Sequence, residues 1–318
     1  MKINIIHSPK YSGWVLGEHH PTQGRRFDNA FALIGALSDS GSYELEVHNP
    51  RMPSRAELEI VHTPEYVQET IGNFRNQVWT GEREDLAELA QLFYGGTLHA
   101  VDLVLAGEQR VVHLPGAKHH AMADHGAGFC AFADFAAAGT VLTQEHGRRV
   151  AILDIDVHHG DGTEELSRSN PDVLTFSVHQ GGIYPNTGLT HECDHENRVY
   201  NRPLRSGDGD DHLVVAVQEF VDVCRTFQPD VILIAAGADG HISDPLASLE
   251  YTPAGFAQAV ALVHEFAGET PVILGGAGGY QPDTYTPIMW AHAVAALAGV
   301  SAETLHEFPF EQHLPQAQ

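Results

Sequence analysis

The chain has 318 residues, 43% of them hydrophobic, and 42 acidic against 17 basic residues give it a formal net charge of −25. That balance argues against direct nucleic-acid binding, which needs a basic surface. No apolar run approaches the ~18 residues of a membrane span, so the expectation is a soluble protein large enough for a substantial core, with an acidic surface that aids solubility and steers cationic substrates.

Met1–His7 is too short and polar for a secretory signal and reads as a first strand, Ile3–Ile6. Phe27–Leu37 and Leu86–Leu105 carry apolar residues at helical spacing. Val111–Leu114 is a short β-branched run that exits into Pro115–His120 and ends on the adjacent pair His119-His120. A third helix is predicted over Phe132–Leu142. Val150–Val157 then reads as a buried strand, with Asp154, Asp156 and His158 alternating onto one face and Ile155 and Val157 onto the other. Gly160 and Gly162 break it into a loop holding Asp161. Val173–Val178 is the next strand. His191-Glu192-Cys193-Asp194-His195 matches the letters of HExxH, but it follows Pro185–Gly188 and lacks an apolar stripe, so it reads as a polar loop and not a zinc helix. Helix His212–Phe227, strand Val231–Ala235 with loop Gly237–Gly240, helix Pro253–Phe266, and strand Pro271–Leu274 with loop Gly275–Tyr280 complete the pattern. Three distant cysteines, Cys130, Cys193 and Cys224, predict a reducing, cytoplasmic setting and no disulfide framework.

Strands apolar on both faces and alternating with helices predict a parallel sheet covered on both sides. Ligands of such sheets bind beyond the carboxyl ends of the strands, so the four Gly-rich, polar loops are expected to converge on one pocket. Three ionisable groups on a buried strand are costly without a partner, and a divalent cation would supply one. Asp156 and His158 are two proposed ligands and Asp239 the third. One imidazole and two carboxylates leave an open position, which suits catalytic Zn²⁺ and also Fe(II). His119 and His120 could transfer protons, each oriented by Asp154 or Asp161. The Tyr280 phenol could donate to an oxyanion. No Lys-Ser/Thr follows the glycines before Tyr280, which excludes a P-loop, and GxSxG is absent.

Taken together, D-I-D-V-H-H-G-D-G (154–162), H-H-A (119–121) with G-F-C (128–130), G-A-D (237–239) and G-G-Y (278–280) resemble, in order, the histone deacetylase superfamily, including acetoin-utilisation deacetylases and acetylpolyamine amidohydrolases. His20-Pro21 and Arg26 resemble that family's opening loop and helix. The resemblance implies one catalytic domain over 1–318, of arginase/deacetylase fold, with an eight-stranded parallel sheet. It implies one Zn²⁺ on Asp156, His158 and Asp239. His120 is then general base and acid, backed by Asp161. His119 is its electrostatic partner, backed by Asp154, and Tyr280 polarises the acetyl carbonyl. Phe129 and Tyr184 would flank a narrow tunnel with Leu246 near its mouth. K⁺ would bind oxygens of Asp154, Asp156, His158, Ser177 and Val178. The implied reaction is hydrolysis of an N-acetyl amide, with acetyl-lysine of proteins or peptides as first substrate and acetylated polyamine as alternative. A deacylase for larger acyl groups and a non-catalytic binding module are the remaining readings; the oligomeric state is left open. Two departures stand out: Lys118 before the histidine pair, where many relatives have more glycine, and a glycine loop before Tyr280 one residue longer than the usual four.

Overall fold

Val231-Ile232-Leu233-Ile234-Ala235 is apolar at every position, and such a run suits a strand buried on both faces. In the computed structural model, which describes residues 1–194, 196 and 198–315, it is β8 (Val231–Ala235) of one nine-stranded sheet. The other strands are β1 (Lys2–Ile6), β2 (Glu44–His48), β3 (Arg110–His113), β4 (Val150–Asp154), β5 (Val173–Gln180), β6 (Glu192–Asp194), β7 (Val199–Leu204) and β9 (Val272–Gly275). Their order is β2-β1-β3-β9-β8-β4-β5-β7-β6. Eight strands run parallel, as the family resemblance implies, and the short β6 adds an antiparallel ninth at one edge.

Alternate side chains of β8 enter different parts of the core. Val231, Leu233 and Ala235 pack with Val104, Phe135 and Leu142, whereas Ile232 and Ile234 belong with Phe27, Phe220, Phe256 and Trp290. The helices that supply these residues are Arg25–Asp39, Glu84–Leu105, Asp134–Gln144, Asp210–Phe227, Pro253–Ala267 and Tyr285–Leu297. The first five lie within a turn of their predicted spans. Pro253–Ala267 starts as expected, with the Thr252 hydroxyl accepting from the Gly255 N–H at 3.2 Å and proline in the first turn.

The sixth helix, Tyr285–Leu297, carries no predictive period because nearly all of it is buried, so it has no polar face. The edge strand β2 is too polar to read as a strand, and β7 contains Asn201, Arg202 and Pro203, which argue against one locally. The polar-loop reading of 191–195 is corrected in part. Glu192–Asp194 is β6, with Cys193 opposite Tyr200, while His195 lies outside the described residues. Tertiary pairing overrode local polarity there. Among the described residues no helix is long and apolar enough to cross a membrane.

Candidate active site

The four Gly-rich loops follow β3, β9, β8 and β4, which are consecutive neighbours in the sheet. Adjacent parallel strands end at one edge, so this order alone brings residues 115–120, 275–280, 237–240 and 155–162 together.

The reading of Val150–Val157 as one strand needs correction. The strand ends at Asp154; the Ile155 N–H still donates to the Ala235 carbonyl, and side chains then take over the N–H groups of residues 156–158. The Asp156 N–H donates to Asp154 Oδ1 (3.1 Å), the Val157 N–H to Asp239 Oδ1 (3.0 Å) and the His158 N–H to Asp156 Oδ1 (2.9 Å). Ile155 and Val157 still enter the core, and Asp154, Asp156 and His158 are buried. The carboxylates thus replace the missing strand partner and are themselves fixed in place.

Asp156, His158 and Asp239 each offer one ligand atom, all within 4.8 Å of one another. His158 Nδ1 lies 3.1 Å from Asp156 Oδ1 and 3.2 Å from Asp239 Oδ2. Burial, then the neighbouring Asp156 charge, pushes Asp239 up to about 6. Burial also opposes the Asp156 charge, but His119 and His158 outweigh it and hold that carboxyl below its ordinary range. Two enclosed carboxylates facing one imidazole are a donor set that fits a divalent cation. Gly278 completes the cradle. Its N–H donates to Asp156 Oδ2 at 2.6 Å, and a Cβ there would lie 2.0 Å from Asp239 Oδ2.

Two imidazole–carboxylate pairs stand beside this triad. His119 Nδ1 meets Asp154 Oδ2 and His120 Nδ1 meets Asp161 Oδ1, both at 2.7 Å. The rings are 4.0 Å apart. Burial lowers the pKa of both, but Asp154 and Asp156 overcome it at His119 and raise that group to about 9. At His120 burial and the His119 charge prevail, and the ring is pulled down to about 4. The inner ring is therefore the more basic of the two, while burial also raises the Asp154 carboxyl that it meets. With Nδ1 committed to Asp161, His120 Nε2 is the nitrogen left to take or give a proton.

A cavity of about 380 Å³ leads to this cluster, lined by His120, His158 and Tyr280 with Phe129, Tyr184 and Leu246 among its walls. The Tyr184 ring stands edge-on to His120 at 5.0 Å, and Tyr280 lies 6.5 Å from the His158 ring and 6.1 Å from Phe129. The longer glycine loop therefore still delivers Tyr280 to the pocket. Burial beside Asp239 and Asp156 raises its phenol well above the ordinary value, keeping it a proton donor. Asp154 lies beside Ser177 across β4 and β5, with Val178 next along that strand; the Ser177 hydroxyl is engaged by His179 Nδ1 at 2.9 Å.

Three supporting residues were missed or underused in the sequence reading. Asp134 accepts from the N–H groups of Ala117 (2.9 Å) and Lys118 (2.6 Å) and from the Thr97 hydroxyl (2.5 Å). It thereby holds the turn before the histidine pair, in which Ala117 takes a left-handed φ of 64°. Asp244 accepts from the Tyr280 N–H (2.9 Å) and the Leu246 N–H (3.0 Å), tying the phenol to the mouth. Arg26 donates to the Gly279 carbonyl at 2.5 Å and lies over the Tyr280 ring. Aspartates at helix starts and turns are common, so nothing local distinguishes Asp134 or Asp244.

Comparison with known proteins points to one family. The family model described as "Histone deacetylase domain" matches residues 20–297. The chain is 31% identical to the acetoin utilization protein AcuC of Bacillus subtilis, over 96% of this chain and 84% of that protein. It is 33% identical to a probable deacetylase of Archaeoglobus fulgidus, over 94% and 87% respectively. A histone deacetylase-like amidohydrolase of Pseudomonas aeruginosa is 35% identical, over 67% and 59%.

Proposed function

This chain belongs to the histone deacetylase family, and from that premise we propose that residues 1–318 form one catalytic domain, a zinc-dependent deacetylase that hydrolyses N-acetyl amides to acetate and a free amine. The observation that carries the proposal is the grouping of a buried Asp-His-Asp triad, a neutral His120 and the Tyr280 phenol at the end of one pocket. Asp156, His158 and Asp239 would hold the cation, which when bound supplies electrophilic polarisation of the amide carbonyl and makes a water more acidic. His120 Nε2 accepts the proton of the attacking water, while Asp161 keeps the ring in the tautomer that exposes that nitrogen. Tyr280 donates to the oxyanion that forms on the carbonyl oxygen, a contribution of about 3 kcal/mol. His119, held cationic by Asp154, keeps His120 weakly basic, so the proton can then pass to the leaving amine. K⁺ beside Asp154, Asp156, His158, Ser177 and Val178 belongs to the same reading, as does a cytoplasmic setting for a chain whose three cysteines are free.

Acetyl-lysine of a protein or peptide is the proposed substrate. The described residues lining the pocket include no carboxylate to meet the distal ammonium of a polyamine, and Phe129, Tyr184 and Leu246 suit an aliphatic stem. The acidic net charge is what favours acetylated polyamine as the second reading. The test is kcat/KM on acetyl-lysine peptides and on N-acetylputrescine, using protein of measured zinc content. Higher values on the peptides are expected. A preference of ~100-fold for acetylputrescine would reverse the substrate assignment, and no turnover of either by zinc-loaded protein would leave a binding module.

A further inference from the structure

Beyond the triad a second, much smaller cavity lies against the pocket. Gly128, Phe129 and Tyr280 line both, and the inner one is closed by Thr22, Arg26, Lys118 and Cys130. Its volume is about 10 Å³, room for roughly one water. Lys118 is 6% exposed, and its ammonium lies 5.4 Å over the Phe93 ring. No hydrogen bond or ion pair to that ammonium is formed among the described residues, and Asp134, which it could have met, is spent on the backbone. The Thr22 hydroxyl and Arg26 Nε of the same cavity are also without partners. A long side chain is therefore held in an enclosed space by packing and not by a charge partner.

An amide substrate entering through the mouth presents its amine stem to Phe129 and Tyr184 and its carbonyl to Tyr280. The acyl carbons beyond the carbonyl must then turn toward the inner cavity. We propose that Lys118 is a specificity-determining residue that fills the acyl end of the site by bulk and limits the substrate to acetyl amides. An acetyl group adds one methyl beyond the carbonyl. Propionyl and butyryl add one and two methylenes to a space already occupied, and one methylene in a closed pocket is worth ~10–200-fold in discrimination. This inference rests on the deacetylase reading above and names the acyl class of the same site.

The test is a substitution series, Lys118→Met, Lys118→Leu and Lys118→Ala, which shortens the side chain stepwise. Each variant and the wild-type protein are assayed on acetyl-, propionyl- and butyryl-lysine peptides. The wild type should prefer acetyl over butyryl by at least ~100-fold, and the butyryl-to-acetyl ratio of kcat/KM should change little at Met and Leu, which are of similar volume, and rise by ~10-fold or more at Ala. Met and Leu remove a buried charge that makes no hydrogen bond and keep an apolar side chain against Phe93, so both should fold, and the proposal is testable even if Ala does not fold. An unchanged ratio at Ala would overturn the proposal, as would butyryl turnover by the wild type equal to acetyl. A ratio as large at Met as at Ala would overturn it too, because charge and not bulk would then set the limit. Calorimetric binding of the same peptides to metal-free protein reads the acyl limit without turnover. A chain that discriminates acyl length in binding but never hydrolyses would sink the catalytic reading alone.

Discussion

The inner and outer halves of the pocket contain the same parts and behave in opposite ways. Each has an imidazole bound through Nδ1 to a carboxylate at 2.7 Å. The inner pair, His119 with Asp154, is enclosed beside a second carboxylate, Asp156, whose oxygen lies 3.8 Å from His119 Nε2. There the two carboxylates overcome the desolvation penalty and raise the ring above its ordinary range, and burial raises Asp154 as well. The outer pair, His120 with Asp161, has one carboxylate, itself more exposed than Asp154 (14% against 6%), and a cationic ring as its neighbour. There the ring gives its proton up. The lesson is that a hydrogen bond of given length does not fix protonation; the surrounding charge does. Adjacent residues of identical type can thus divide one reaction between a fixed cation and a mobile proton carrier.

The largest effect that could break this comparison lies in the triad itself. Asp156→Ala or Asp239→Ala should abolish stoichiometric zinc binding, read by elemental analysis, and lower turnover by at least ~1,000-fold. Full metal content and activity in either variant would remove that carboxylate from the centre. Next come the proton carrier and the oxyanion donor. His120→Ala and Tyr280→Phe should each reduce kcat by at least ~100-fold in protein that stays folded, and near-wild-type turnover in either would strip that residue of its role.

The two orienting carboxylates sharpen the contrast most directly. Asp154→Asn and Asp161→Asn should each cost ~10–100-fold in activity, but only Asp154→Asn should bring the His119 titration down from about 9 toward the ordinary imidazole range. NMR titration of the metal-free protein measures it, and indistinguishable His119 curves in the two variants would erase the proposed difference.

The last expected effect is on stability and leaves the chemistry untouched, and it concerns histidines in the core. Burial holds His62 neutral down to about 4 and His113 down to about 3. Below about 6.5 the unfolded chain binds protons that these folded sites refuse. Their stabilising contribution is complete above that pH and is lost as pH falls toward the folded values, by up to ~1.4 kcal/mol per pH unit for each. The melting temperature should fall between pH 7 and pH 5; a flat or rising profile would mean that neither histidine refuses its proton in the native state.

The parallel sheet, its buried strands and five long helices were legible because their patterns are local. A run such as Val231–Ala235 or the cap at Thr252-Pro253 carries its instruction within a few residues. Helix Tyr285–Leu297 was not legible, since burial on all sides erases a period. Strands β6 and β7 owe their pairing to neighbours brought from elsewhere.

The chain's chemistry follows the same division. Which residues could bind a cation or carry a proton was written in the sequence, because Asp154, Asp156, His158 and Asp161 sit within eight positions. The strand order decided the rest. It set β3, β9, β8 and β4 side by side, brought Asp239 and Gly278 against Asp156, and placed Asp134 under the histidine turn. Protonation states and pocket depth depend on charges and walls that are distant along the chain, and only folding fixes their separations.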